Sequence, residues 1–133
     1  KVDVVILAAA ASDYTVLNPS SSKIKSSKKS LQIKLVQAPK IIDHIKKWQK
    51  NVFLVGFKAE TNISKKKLAS LARKKLAEAK ADLIVANDIG TKYQKNPDLN
   101  EIVLVNSKKA VFLSRRRKEK LAKLIRKELE KVI

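Results

Sequence analysis

Three stretches of the chain are almost wholly apolar, and two amphipathic stretches separate them. The apolar runs cover residues 2–10, 52–57 and 82–86, and their composition is typical of strands buried on both faces of a parallel sheet. Between them, residues 39–49 and 64–80 carry apolar side chains at helical spacing. This alternation of strand and helix predicts an α/β fold: a Rossmann-like three-layer domain with a mainly parallel sheet.

Residues 18–36 depart from this alternation. Residues 18–30 are rich in Ser and Lys and show no periodic apolar pattern. They are either a solvated loop or a mobile basic flap that closes over a phosphate-bearing ligand. Residues 30–36 alternate apolar side chains, such as Leu31 and Ile33, with polar ones, as a strand with one wet face does. We expect this strand to lie outside the main sheet.

The C-terminal part of the chain predicts a hairpin followed by a helix. Two short apolar runs, residues 102–105 and 110–113, flank a polar turn. From about residue 115 to residue 133 the apolar residues recur on one helical stripe. Ser114 is the expected N-cap of this helix, because its hydroxyl can accept a hydrogen bond from the first turn.

Composition excludes several classes of protein. The 133 residues are 44% hydrophobic, which indicates one domain with a buried core rather than a disordered chain. The sequence has no cysteine and a single histidine, so it offers no disulfide, no thiolate and no zinc ligand set. That histidine, His44, is expected to be a surface or packing residue of the first helix rather than a catalytic base, and the nearby Trp48 is expected to be a packing anchor on the same helix.

Two further expectations concern the setting of the chain. No apolar run approaches the roughly 20 residues that span a bilayer, so we expect a cytoplasmic protein with no membrane partner. Methionine is absent, and we expect the sequence to be part of a longer polypeptide.

The charge raises nucleic acid as a partner. The chain carries 31 Lys+Arg against 12 Asp+Glu, a formal net charge of +19, and basic domains attract phosphate backbones. Most of these cations are lysines, whereas direct base reading relies on arginine, and lysine-rich surfaces also occur in heat-adapted proteins. A basic nucleic-acid-binding module without catalysis therefore stays the alternative to an enzyme.

Polar side chains follow each of the three apolar runs. They occupy residues 12–14, 58–62 and 87–88, and ligands of open parallel sheets bind beyond the carboxyl ends of the strands. Asn and Asp also serve simply to make turns at strand ends, so a ligand site and a set of turns are both open. With only two glycines, the chain has no glycine-rich phosphate loop, and lysines or helix amides would have to bind phosphate.

Five ordered blocks carry a resemblance to a known family. They are residues 8–14 (AAAASDY), 23–25 (KIK), 39–42 (PKII), 55–62 (VGFKAETN) and 81–88 (ADLIVAND). In this order they resemble the C-terminal portion of the phosphopantothenate–cysteine ligase domain, also called phosphopantothenoylcysteine synthetase, of coenzyme A biosynthesis. The resemblance implies that residues 1–133 are a single α/β ligase domain, with residues 18–36 as its flap and dimerisation segment.

The resemblance also implies an activity. Such an enzyme joins 4'-phosphopantothenate and cysteine through an acyl-nucleotidylate formed from CTP, or alternatively ATP, with Mg²⁺. The implied partners are these small molecules, a second copy of the chain in a homodimer and a fused or associated flavin-dependent decarboxylase, but no nucleic acid. A fragment that dimerises through residues 18–36 but binds no ligand is a further hypothesis.

Roles at individual positions follow from the same resemblance. Lys23 is the implied catalytic residue, because it opens the basic flap motif and would meet the triphosphate or the acyl intermediate. The nucleotide would be bound by Leu7, Ala8, Ala9, Asp13, Lys23, Pro39, Lys40, Ile41, Ile42, Phe57 and Lys75. Further possible contacts are Lys25, Lys80 and Asn87, and no residue is implied to bind metal directly.

Two departures from the family pattern accompany these assignments. The family commonly has a lysine where this sequence has Ala79, and the neighbouring Lys80 is the possible substitute. The family's N-terminal portion, with a glycine-rich nucleotide-side loop and an asparagine important for the acyl intermediate, has no counterpart in these residues. We therefore expect that this part of the domain is inactive alone.

Overall fold

The computed structural model describes residues 2–27 and 29–131, which form two units. One unit comprises residues 2–8 and 42–131, and the other comprises Ala9–Ile41. In chain order the elements are β1 (Val4–Leu7), β2 (Tyr14–Val16), β3 (Leu35–Gln37), α1 (Ile42–Trp48), β4 (Phe53–Glu60), α2 (Lys65–Ala79), β5 (Leu83–Asp88), α3 (Thr91–Gln94), β6 (Leu99–Val105), β7 (Ala110–Arg117) and α4 (Lys118–Leu129).

The larger unit is built on a five-stranded sheet with the order β1-β4-β5-β6-β7. The three apolar runs of the sequence form β1, β4 and β5, which pair in parallel. The predicted hairpin forms β6 and β7, which extend the same sheet in antiparallel orientation. The prediction of an α/β fold with a mainly parallel sheet and a C-terminal hairpin is confirmed.

Helices cover both faces of this sheet. On one face, α4 packs Leu121 and Leu129 against sheet residues that include Val55. On the other face, α2 packs on Ile84 and its neighbours, and Ile42 of α1 packs on β4. Successive residues of β4 and β5 thus alternate between the two helix layers, as a strand buried on both faces requires.

Helix α2 begins and ends where the sequence predicts. Ser64 is its N-cap, and the Ser64 hydroxyl accepts a hydrogen bond from the Lys67 amide at 3.3 Å. Lys80 ends the helix in the left-handed conformation, with φ 51°. Helix α1 is shorter than predicted, since Pro39, Lys40 and Ile41 precede its first residue and belong to the smaller unit.

The expected N-cap role of Ser114 is wrong. β7 continues through Arg117, because its last residues pair with the start of β6, Leu99 opposite Arg117. Ser114 lies within the strand, where its hydroxyl accepts a hydrogen bond from Arg116 Nη2 at 2.6 Å. Helix α4 starts at Lys118 without a side-chain cap, and the predicted end at residue 133 lies outside the described residues.

The smaller unit holds a separate two-stranded antiparallel sheet. β2 pairs with β3, with Thr15 opposite Val36. The predicted strand over residues 30–36 therefore lies outside the main sheet as expected, but it is shorter and shifted to Leu35–Gln37. Almost every described residue of this unit is exposed.

Candidate functional site

Two of the three polar strand ends meet at one edge of the main sheet. β4 ends in an ion pair between Lys58 and Glu60, with Nζ and Oε1 2.7 Å apart. Beyond this pair, the Asp88 carboxylate at the end of β5 accepts a hydrogen bond from the Asn62 amide at 2.9 Å. The Ile89 amide continues the connection by donating to the Glu60 carbonyl at 2.7 Å. The carboxyl ends of β4 and β5 thus form one polar edge.

A chain of charges extends this edge towards β6. Glu101 accepts from Lys92 at 2.9 Å and pairs with Lys65, the first residue of α2, at 3.1 Å. Lys92 Nζ also lies 3.9 Å from the Asp88 carboxylate. Cations and carboxylates therefore alternate along this edge, and both lysines are paired with carboxylates.

Four of the expected nucleotide contacts lie in the larger unit at or next to this edge of the sheet. Leu7 is the last residue of β1 and pairs with Gly56, which places Ala8 just beyond the strand. Phe57 follows Gly56 in β4, and 40% of its surface is exposed. Ile42 is buried, and its side chain packs against the sheet over Gly56, so only its backbone is left for a ligand.

The remaining assignments in this unit have their own structural partners. Lys75 Nζ lies 3.0 Å from Asp43 Oδ1, and this ion pair joins α2 to α1. The Lys80 amide closes α2 by donating to the Ala77 carbonyl at 3.2 Å. Asn87 lies in β5 opposite Ala59. The expected ligand contacts of Lys75, Lys80 and Asn87 stay predictions.

The other expected site residues lie in the smaller unit. The Asp13 carbonyl accepts a hydrogen bond from the Ala38 amide at 2.9 Å, which extends the pairing of β2 and β3 by one residue. The Asp13 side chain is exposed. Lys23, the expected catalytic residue, lies in a segment without regular secondary structure between β2 and β3. The exposed residues of this unit that the resemblance assigns to the site are Ala9, Asp13, Lys23, Lys25, Pro39, Lys40 and Ile41. Their roles stay predictions.

A cavity of about 540 Å³ lies at the opposite edge of the main sheet. Phe53 and Leu83, near the amino ends of β4 and β5, line it together with the β6–β7 turn. We do not place the functional site there, because ligands of open α/β sheets bind beyond the carboxyl ends of the strands. Asp82 lines this cavity and is paired with Lys46 at 2.6 Å, which ties α1 to the start of β5.

Metal-binding clusters and membrane-spanning helices are both absent from the part of the chain that the structure describes. Within residues 2–27 and 29–131, no three His, Cys, Asp or Glu side chains are grouped so that they could hold a metal ion. The helices in the described part of the chain are all too short or too polar to cross a membrane.

The aromatic pair on α1 departs from expectation. The Trp48 ring stacks on His44 with ring centroids 5.9 Å apart, which agrees with a surface position for His44. Trp48 is 71% exposed, so its expected role as a packing anchor is wrong. The stripe of isoleucines on α1 supplies the packing instead, and Trp48 lies at the helix end beyond it.

Sequence reasoning missed the most buried polar group of the candidate site. Asp88 is only 4% exposed, yet Asn-Asp after a strand reads as an ordinary turn. Its partner Asn62 adopts the left-handed conformation with φ 52°, which Asn tolerates better than most residues. Asn62 lies two residues before Ser64, the N-cap of α2, and this position was the available signal. Its partner Asp88, however, lies 26 residues away in sequence.

Comparisons with known proteins agree with this architecture. The chain is 47% identical over 133 residues to "Coenzyme A biosynthesis bifunctional protein CoaBC" of Thermococcus kodakarensis, covering 100% of this chain and 32% of the relative. It is 37% identical over 89 residues to "Phosphopantothenate--cysteine ligase 1" of Arabidopsis thaliana, covering 65% of this chain and 27% of the relative. The chain thus spans about a third of the length of these relatives.

A solved structure confirms the fold. The crystal structure of the DNA/pantothenate metabolism flavoprotein from Streptococcus pneumoniae superposes with a TM-score of 0.80 at 28% identity, covering 98% of this chain and 64% of that one. The sequence profile of the "DNA/pantothenate metabolism flavoprotein C-terminal domain" matches residues 1–133. With the profile covering the whole sequence and the fold agreeing, the chain belongs to the family of DNA/pantothenate metabolism flavoprotein C-terminal domains.

Proposed function

We propose that the chain is part of a phosphopantothenate–cysteine ligase of coenzyme A biosynthesis. The 47% identity over all 133 residues with a bifunctional protein of that pathway carries the proposal. The Arabidopsis relative is named for the ligase reaction alone and shares this segment. The segment is therefore better assigned to ligation than to any second activity of the bifunctional relatives.

The proposed reaction has two balanced steps. A carboxylate oxygen of 4'-phosphopantothenate attacks the α-phosphorus of the nucleotide, and the bond to the leaving pyrophosphate breaks. The cysteine amine then attacks the acyl carbon, the acyl–oxygen bond breaks, and nucleoside monophosphate leaves with that oxygen. The amine loses one proton, and an amide bond remains.

The chain offers the means that such a reaction needs. Displacement at phosphorus is accelerated mainly by positioning and by fixed positive charge where negative charge develops. We assign that charge to Lys23, and we propose that its segment closes over the ligand and excludes water. The polar edge formed by β4 and β5, with Phe57 beside it, lies where ligands of parallel sheets bind.

CTP is the proposed nucleotide, with ATP as the alternative. Magnesium enters with the nucleotide, because Mg²⁺ is commonly held by substrate phosphates, water and one or two carboxylates rather than by a protein cage.

Residues 18–36, within the smaller unit, are the proposed flap and dimerisation segment. Several of its apolar side chains are exposed, with Leu31 at 52%, Ile33 at 58% and Leu35 at 54%, and exposed apolar residues grouped in this way indicate an interaction surface. A second copy of the chain is the proposed partner, in a homodimer. Ile33→Glu in the complete protein should convert a sedimenting dimer into a monomer, whereas an unchanged dimer would contradict this role.

Two further proposals concern the surroundings of the chain. The bifunctional names of the relatives support a fused or associated decarboxylase. We propose that the reaction takes place in the cytoplasm. The highly charged composition and the lack of cysteine are compatible with that compartment.

The test is product formation by the protein expressed from its complete reading frame. Phosphopantothenate, cysteine and CTP or ATP should give phosphopantothenoylcysteine with one pyrophosphate released per amide formed. Absence of product with both nucleotides would refute the proposal. A random oligonucleotide tests the alternative, since a nucleic-acid module would bind it with an affinity that falls steeply with salt.

A matched pair of variants tests the flap lysine. Lys23→Gln should lower kcat about 100-fold or more, the usual effect of removing one group that stabilises transition-state charge. Lys29→Gln removes the same charge from the same exposed segment and should leave kcat within about twofold if Lys23 acts specifically. Equal effects of the two variants would remove Lys23 from the mechanism.

A further inference from the structure

The end of β5 holds a buried carboxylate with more backbone partners than a turn requires. Asp88 Oδ1 accepts hydrogen bonds from the amides of Asn62 at 2.9 Å and Gly90 at 2.8 Å. Asp88 Oδ2 accepts from the Ile63 amide at 3.3 Å and lies 3.9 Å from Lys92 Nζ. Burial of a carboxylate is costly unless such donors compensate it, so this group holds both strand ends in place.

The loop after β4, with Asn62, and the loop after β5, with Gly90 and Thr91, bind each other reciprocally, and we call this set of contacts the lock. Asn62 Oδ1 accepts from the Thr91 amide at 3.0 Å and from the Thr91 hydroxyl at 3.1 Å. Gly90 lies so close to Asn62 that a Cβ at this position would collide with the Asn62 side chain and, at 2.5 Å, with its backbone nitrogen. Each of the two loops is therefore shaped to fit the other.

The lock supports the part of β4 that has a neighbour on one side only. β1 ends at Leu7 opposite Gly56, whereas β4 continues to Glu60 opposite Asp88. Phe57 begins this extension, and residues 57–60 pair with β5 but have no partner in β1. A strand segment that pairs on one side only has to be fixed from its far end if it is to present a constant surface.

We infer that Asp88 is a positioning residue for the nucleotide site, because its carboxylate fixes residues 57–62 in the geometry that a nucleotide meets. This inference rests on the proposed ligase function and on Phe57 lying beside the nucleoside. Asp88 itself is buried and touches the loops, so it acts through them rather than on the ligand.

The same strand supplies a matched control. Asp82 precedes β5, and its Oδ2 accepts from the Leu54 amide of β4 at 2.7 Å and pairs with Lys46 at 2.6 Å. A carboxylate thus ties β5 to β4 at each end of the strand. Of these two carboxylates, only Asp88 lies at the carboxyl edge. Comparing the loss of one with the loss of the other therefore separates a positioning effect from a general loss of stability.

The experiment compares Asp88→Asn with Asp82→Asn in the complete protein. Both substitutions remove one negative charge and leave the side chain at nearly the same size. We measure kcat and the nucleotide KM with phosphopantothenate and cysteine saturating, and the free energy of unfolding of each variant in urea. A purely structural role lowers the folded fraction, and with it kcat per mole of total protein, but leaves KM unchanged.

We expect Asp88→Asn to raise the nucleotide KM at least about fivefold more than Asp82→Asn does. Any smaller difference between the variants overturns the positioning role. If Asp88→Asn does not fold, Asn62→Gly decides by the same threshold, because glycine keeps the left-handed backbone and removes the acceptor for Thr91. A wild-type protein that forms no product overturns the ligase function and this role together, a result distinct from an active enzyme with unchanged KM.

Discussion

The packing around Gly56 leaves no room for a methyl group. A Cβ at this position would lie 2.6 Å from Ile42 Cδ1 and 2.9 Å from Ile84 Cδ1. Carbon atoms pack at about 3.5–4.0 Å, so these methyl groups would have to retreat by roughly 1 Å and 0.6 Å. Both belong to buried side chains between the sheet and the helices. Gly56→Ala should therefore destabilise the domain by about 1–3 kcal/mol, the usual cost of overpacking.

A double-mutant cycle in urea tests this reasoning. Ile42→Val removes the methyl group nearest to the new Cβ and costs about 0.5–1.5 kcal/mol alone. In that background Gly56→Ala should cost about 1 kcal/mol less than in the wild type, because the two positions are in contact. Thermal unfolding gives a second readout, with a fall in Tm of about 3–10 °C for Gly56→Ala. A neutral Gly56→Ala, or a cost unchanged by Ile42→Val, would refute the steric account.

Three further outcomes follow from the contacts described. Asp13→Asn should weaken nucleotide binding by the complete protein about tenfold, measured by calorimetry, and equal affinity would exclude Asp13 from the site. Gly90→Ala should cost about 1–3 kcal/mol in urea unfolding, because the new methyl group collides with Asn62; wild-type stability would contradict the lock. A hydrogen bond from Lys131 lowers the pKa of Glu128 below its ordinary 4.5, so its stabilisation is complete above pH 4.5 and is lost as pH falls through the lowered pKa. Glu128→Gln should thus cost up to about 1 kcal/mol at pH 7 and nothing near pH 2, and an equal cost at both would argue against the ion pair.

The alternation of apolar runs and amphipathic stretches was enough to predict the main sheet and α2. These elements follow from local pattern, since residues buried on both faces leave continuous apolar runs. Ser114 shows where local pattern failed. Its position before a charged helical stripe favours a cap, but pairing of Arg117 with Leu99 keeps the chain in the sheet. Partners distant in sequence decide such a boundary, and no local signal reports them.

The candidate site was predictable in part for the same reason. Polar residues after apolar runs indicate a shared edge, and the bond between Asn62 and Asp88 shows that two of the strand ends do meet. The buried state of Asp88 depends on amides from two loops that approach only in the fold. The exposed ring of Trp48 likewise depends on where α1 ends, which its amphipathic pattern leaves open.

The fate of one oxygen atom tests the proposed ligation most directly. Phosphopantothenate labelled with ¹⁸O in its carboxylate is incubated with cysteine, CTP and the complete protein. If the carboxylate attacks the α-phosphorus, one labelled oxygen appears in CMP and none in pyrophosphate. Amide formation with label in inorganic phosphate instead, or without any label in CMP, would contradict the acyl-nucleotidylate route.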